Sequence, residues 1–159
     1  MKLQKIYNDI IEAYFEDNYN SRFAFEENGD HVYYFPIMPA VVGYRIPKKF
    51  WIFDFKDKYQ SDSLDSNLIP GRTPELFNDT GTEPCEPTPL RRSVLSGKKK
   101  IDLVKIGDHW YQEKFITKIG KIEDFRYKQN KNMLFVCDSN DLEIVAIVCR
   151  YNIKESEEE

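Results

Sequence analysis

The dipeptide Gly107-Asp108 stands between Ile101-Asp102-Leu103-Val104-Lys105-Ile106 and an aromatic-rich run that begins at His109. It is the strongest constraint the chain places on its own fold. A short apolar run, a tight Gly-Asp turn and a second run with interleaved charges predict an antiparallel meander. From His109 to Ile122 the residues alternate over much of their length, with Tyr111, Glu113, Phe115 and Thr117 on one side and Trp110, Gln112, Lys114 and Ile116 on the other. That period of two predicts a strand. Met133–Cys137 and Leu142–Tyr151 follow as two apolar runs separated by Asp138-Ser139-Asn140-Asp141, four residues that favour turns. The last third of the chain is therefore expected to be a sheet. Leu142–Tyr151, apolar on both faces, is expected to be a buried central strand.

The first half reads differently. Leu3, Ile6, Tyr7, Ile10, Ile11, Tyr14 and Phe15 recur at helical spacing with polar residues between them, which predicts an amphipathic helix of about four turns. Runs at 22–26 and 31–35 flank Glu27-Asn28-Gly29-Asp30, the pattern of a hairpin. Between Ile37 and Phe55 two readings stay open. Val41, Val42, Phe50, Trp51, Phe53 and Phe55 favour strand. Pro36, Pro39 and Pro47 punctuate the segment, and Pro39 suits the first turn of a helix running to about Pro47. Residues 56–89 carry seven Pro and Gly residues among Ser, Asp, Asn and Thr, and are expected to be one long irregular loop with a single helical turn near Pro74–Asn78. The chain is read as one domain over residues 1–154, followed by an acidic tail at 155–159.

At 159 residues and 41% hydrophobic content, a core can form without disulfides or metal. Cys85, Cys137 and Cys149 have no paired spacing, and the latter two sit in apolar runs where a thiol acts as a small hydrophobe. No metal site is expected. A net charge of −4 argues against a nucleic-acid partner. No run is long and apolar enough to span a membrane, and no leader-like segment opens the sequence, so a cytoplasmic location is expected. Arg91-Arg92 and Lys98-Lys99-Lys100 are the basic clusters. Gly97-Lys98-Lys99 lacks the upstream Gly and following Ser/Thr of a phosphate loop. His31 and His109 are the only histidines, and a structural role is the simpler reading of each.

The order of segments nevertheless resembles a known family. Leu90-Arg91-Arg92-Ser93-Val94, Gly97, Lys105-Ile106-Gly107-Asp108, Met133-Leu134-Phe135-Val136 and Asn140 to Ala146 (NDLEIVA) follow the order of motifs in the second half of MaoC-like hotdog domains, N-terminal dehydratase-type branch. In the first half, Glu16-Asp17-Asn18-Tyr19-Asn20 is similar to that family's Asp-Asp-Asn-Pro segment. Phe35-Pro36-Ile37-Met38-Pro39-Ala40 is similar to the lead-in to its buried helix. The resemblance implies an α+β hotdog fold, an antiparallel sheet wrapped around a central helix at 38–46, with 56–89 as a loop overhanging the ligand. Active members carry an Asp followed five positions later by a His. Here the fifth residue after Asp17 is Arg22, and only Glu26 with His31 reproduces the spacing, with the longer acid.

The resemblance therefore implies a non-catalytic or weakly catalytic subunit of a heteromeric enoyl-thioester hydratase or 3-hydroxyacyl dehydratase. Its partner would be a second hotdog chain bearing the Asp-x4-His pair, and its ligand acyl-CoA or an acyl-carrier thioester, with no further cofactor. Arg91, Arg92, Lys98, Lys99 and Lys100 would meet the phosphates, and Leu68, Ile69 and Phe77 would line the acyl tunnel. Two alternatives compete with it. One is a self-sufficient homodimeric hydratase using Glu26 and His31. The other is a small acidic protein that binds another protein, in the manner of an immunity protein or inhibitor.

Overall fold

The structure, a computed structural model, describes residue 7 and residues 24–35, 41–50, 73–140 and 142–153. Ten strands appear among them: β1 (Ala24–Asn28), β2 (His31–Phe35), β3 (Val42–Pro47), β4 (Glu83–Cys85), β5 (Pro87–Ser96), β6 (Lys99–Ile106), β7 (His109–Gln112), β8 (Phe125–Gln129), β9 (Met133–Asp138) and β10 (Ile144–Cys149). Two short helices join them, α1 (Thr73–Leu76) and α2 (Glu113–Thr117). Seven strands form one antiparallel sheet in the order β1-β2-β3-β10-β9-β8-β4, and three form a second in the order β5-β6-β7. The α+β, antiparallel and sheet-dominated architecture agrees with the sequence reading.

Alternation along each strand builds the core. On the inner face of the large sheet Tyr34, Val42, Tyr44, Ile46, Leu134, Val136, Ala146 and Val148 are buried. They join Val104, Ile106 and Tyr111 of the small sheet, and Phe115 and Ile116 of α2, in one continuous cluster. The Tyr44 hydroxyl donates to the Phe115 carbonyl at 3.3 Å, tying β3 to α2. Tyr7, helical and 2% exposed, belongs to the same cluster. The outer face carries a smaller cluster of Tyr33, Phe35, Phe77, Phe135 and Ile147. Phe77, just after α1, sets its ring 5.1 Å from Tyr33 and 6.2 Å from Phe35. Asp79 fastens that segment to β8 through Lys128 at 2.8 Å.

Several expectations hold and several are corrected. β10 lies between β3 and β9, as expected of a central strand. The hairpin β1–β2 turns at Gly29-Asp30, and β9–β10 turns across Ser139 and Asn140. The helix expected at 38–46 is instead a strand from Val42, because Val42, Tyr44 and Ile46 point to one face and pack between β2 and β10; residues 36–40 lie outside the described residues. The strand expected from His109 to Ile122 stops at Gln112. Beyond it, Phe115, Ile116 and Ile119 are buried at helical spacing and α2 replaces the alternation. The loop expected to run to residue 89 gives way to strand at Glu83, and its proline-rich end becomes β4 and the start of β5. The expected helical turn is found as α1. The rest of the N-terminal helix, residues 56–72 of the loop and the acidic tail lie outside the described residues.

Gly107 holds the crossing between the two sheets. Its φ is +59°, a conformation that costs a Cβ-bearing residue about 1–2 kcal/mol. A Cβ there would also run into the buried side-chain amide of Gln129 on β8. Gly97, at the β5–β6 turn, has a similar φ of +66° with open space around it. Gly97→Ala is thus expected to cost about 1 kcal/mol of backbone strain, and Gly107→Ala at least about 2 kcal/mol, since Gln129 must also repack. Urea unfolding of the two variants measures the difference, and equal midpoints would refute the steric role of Gln129.

Candidate functional site

Glu26 and His31, the residues the sequence offered as a dyad, lie on β1 and β2. Glu26 pairs with Tyr33 and His31 with Asn28, so the two are diagonal neighbours on one sheet face. The His31 ring stands 6.3 Å from that of Tyr33. Burial and the nearby Arg45 guanidinium hold its pKa below 6.5, which favours the neutral imidazole. The hairpin therefore brings the two side chains to one face, at the edge of the large sheet.

The ligand-binding set is divided. Leu68 and Ile69 lie outside the described residues. Phe77 is 5% exposed and committed to the outer-face cluster on the large sheet. Arg91, Arg92, Lys98, Lys99 and Lys100 are together on the β5–β6 hairpin of the small sheet. The hairpin register sets Ser96 opposite Lys99 and Leu95 opposite Lys100, so the lysines gather at its tip and the arginines at its root.

A cleft of about 340 Å³ opens beside this hairpin, lined by Lys100, Ile101 and Asp102 of β6 and by Gln112, Glu113, Lys114 and Thr117. Its two carboxylates are already engaged. Glu113 Oε1 meets Arg91 Nε at 3.3 Å. Asp102 Oδ1 accepts from Ser93 Oγ at 2.7 Å and lies 3.8 Å from Lys100 Nζ. Positive charge remains in excess. Lys114 has its pKa lowered by partial burial and by the repulsion of Lys118 and Lys99. Between Pro87 and Lys121 the chain places nine of its 23 Lys and Arg but only three of its 27 Asp and Glu. That is a net +6, against −10 for the rest of the chain. Such a surface attracts anions and repels cations over the range of a Debye length, about 8 Å at physiological salt.

Lys114 is not legible as a site residue in the sequence, because the alternation from His109 to Ile122 predicts a strand. The usable signal was the four-residue spacing of Lys114 and Lys118, which puts both on one helical face. Among the described residues no group of three or more His, Cys, Asp or Glu side chains is placed to hold a metal ion. No described helix is long and apolar enough to cross a membrane. Cys85, Cys137 and Cys149 are not disulfide-bonded. Burial and the neighbouring carboxylates of Glu86 and Asp108 push Cys85 up to about 11, far from the thiolate a nucleophile requires.

The histidines give a pH signature. His31 and His109 both have folded-state pKa values below 6.5, burial being the first cause in each. As pH falls, the unfolded chain takes up these protons before the folded one, so their effect is absent at high pH and destabilising from about 6.5 downward. Stability is expected to decline between about pH 7 and about pH 5, and His31→Gln to make that decline shallower. Unfolding midpoints measured across this range test it; an unchanged slope in the variant would remove His31 from the account. Comparison of the chain with models of protein families, with curated proteins and with solved structures found no match.

Proposed function

We propose that this protein is a binding module that uses the β5–β6 hairpin and α2 to engage an acidic protein partner. The observation that carries the reading is the concentration of positive charge on one projecting element of an acidic chain. The hairpin also presents apolar contact area, with Leu90 52% and Leu95 66% exposed. Mixed cationic and aliphatic surface suits a protein face, where charge steers the encounter and buried aliphatic area holds it. A long polyanion fits less well, because net negative charge outside the hairpin repels whatever extends past it. The hairpin has no aromatic side chain between Pro87 and Ile106 on which bases could stack.

The acyl-thioester subunit remains a second reading, supported by one observation: a cleft of about 340 Å³ beside the basic hairpin carries two lysines, Lys100 and Lys114, along with Asp102 and Glu113. It requires the hotdog's enclosed helix to come from somewhere other than Val42–Ile46. It also requires a partner chain with the Asp-x4-His pair.

One titration separates the two. In ¹⁵N-resolved NMR spectra, an oligo-glutamate peptide is expected to shift Arg91, Arg92 and Lys98–Lys100 along the whole hairpin. The effect should weaken by roughly tenfold when salt is raised severalfold. The triple variant Arg91→Glu, Lys98→Glu, Lys100→Glu should lose the response while keeping its unfolding free energy within about 1 kcal/mol, as expected for exposed positions. Coenzyme A shifting only residues around the cleft, with no response to the peptide, would favour the acyl-thioester reading and set the binding module aside.

A further inference from the structure

We infer that the outer edge of β5 is a strand-addition site, which accepts an extended acidic segment of the partner as a fourth strand of the small sheet; this rests on the binding-module reading above. β5 is the end strand of the order β5-β6-β7, with β6 its only pairing strand among the described residues. The two-residue turn Gly97-Lys98 makes Ser96 and Lys99 a hydrogen-bonded pair. Alternation along an antiparallel ladder then makes Val94–Ile101 and Arg92–Leu103 the next such pairs. The backbone N–H and C=O groups of Arg91, Ser93 and Leu95 are left pointing away from β6. The Ser93–Asp102 side-chain hydrogen bond agrees with this assignment, since side chains approach most closely across a non-hydrogen-bonded pair. Three donors and three acceptors therefore lie in one regular row along the stretch from Arg91 to Ser96.

Most exposed edges are blunted by a bulge, a proline or an inward charge. Here the prolines are Pro87 and Pro89 and the register shift falls between Pro87 and Arg91, at the start of β5. The stretch from Arg91 to Ser96 is regular, and Leu95, exposed on it, adds an apolar side chain. Its protection against self-association is charge. Arg91 and Arg92 flank the row on one side and Lys98, Lys99 and Lys100 on the other, so a second copy pairing β5 to β5 would bring two such cationic sets together. The same charges select an acidic strand. Main-chain hydrogen bonds would supply affinity, and the flanking cations and Leu95 would supply selectivity.

The test uses two synthetic peptides of identical sequence, alternating glutamate and valine, one of them N-methylated at every second backbone nitrogen so that it cannot donate to β5. The unmodified peptide is expected to slow amide exchange at Arg91, Ser93 and Leu95 at least tenfold and to leave Arg92 and Val94 unchanged. The methylated peptide is expected to give no protection. Ser93→Pro removes an outward N–H without touching the β6 ladder, and should abolish the protection while oligo-glutamate still shifts the lysines. If both peptides shift the hairpin equally and neither protects it, the strand-addition inference fails while the binding module survives. If neither peptide touches the hairpin, or a DNA duplex binds it in their place, both fail. A concentration-dependent dimer that protects the same three amides without peptide would overturn the acidic occupant in favour of a second copy.

Discussion

Two sheets can enclose one core only where their backbones come close enough for the chain to pass between them. Here one such passage is at Glu86, between β4 of the large sheet and β5 of the small one, and α2 carries the chain back from β7 to β8. The N–H of Gly107 donates to the Glu86 carbonyl at 2.9 Å, and the missing side chain of Gly107 leaves room for the buried amide of Gln129. Two further bonds brace the junction: Thr88 Oγ1 donates to the Lys105 carbonyl at 2.8 Å, and the Tyr151 N–H donates to the Trp110 carbonyl at 2.8 Å. The junction is not cheap. The side-chain amide oxygen of Gln129 and the Tyr111 hydroxyl are buried with no hydrogen-bond partner among the described residues, and an unsatisfied group of that kind costs roughly 1–3 kcal/mol. What it fixes is the root of the β5–β6 hairpin. Val104 and Ile106 are held in the core while Ser96, Gly97 and Lys98 extend beyond it, so the position of the basic tip follows from the geometry of the Gly107 turn.

How far the fold could be read from sequence depended on whether local chemistry and tertiary burial agreed. Gly29-Asp30, Gly97-Lys98 and Gly107-Asp108 are all two-residue turns that open on glycine, and a turn of that length fixes hairpin register by itself. The prolines misled. Pro84 and Pro87 predict loop, yet β4 and β5 are edge strands, where proline is tolerated. Pro47, read as the far limit of a helix, ends β3 opposite His31. The helix α2 was hidden for the opposite reason. Five residues are too few for a helical period to stand out, and the polar–apolar alternation up to Gln112 continued by coincidence into Phe115.

The candidate site was legible as composition and illegible as arrangement. Arg91-Arg92 and Lys98–Lys100 are plain in the sequence, but only the register of β5 on β6 shows that they sit at opposite ends of one ribbon. Lys114 needs α2 to reach the ribbon at all, and α2 needs Phe115 and Ile116 buried beneath it. Phe77 shows the converse. An aromatic residue in a proline-rich stretch looks available for a ligand, whereas its ring is spent on Tyr33 and Phe35 across the outer face.

Stability alone does not account for the distribution of charge. The chain has more acidic than basic residues, and acids placed beside Lys99 and Lys114 would relieve part of the repulsion that, after partial burial, lowers the Lys114 pKa. Among the described residues the ion pairs Arg91–Glu113 and Lys100–Asp102 are partly to largely exposed, and pairs of that kind contribute at most about 1 kcal/mol. Net positive charge is thus left on the hairpin and helix, and it has a thermodynamic consequence. An anion bound there gains the attraction of the cations and also removes their mutual repulsion, so its binding is coupled to the stability of the hairpin. The same uncompensated charge keeps the regular edge of β5 from pairing with its own kind. On this reading one feature serves two ends: repulsion protects the edge in the free protein, and its neutralisation by an acidic strand is what opens that edge to pairing.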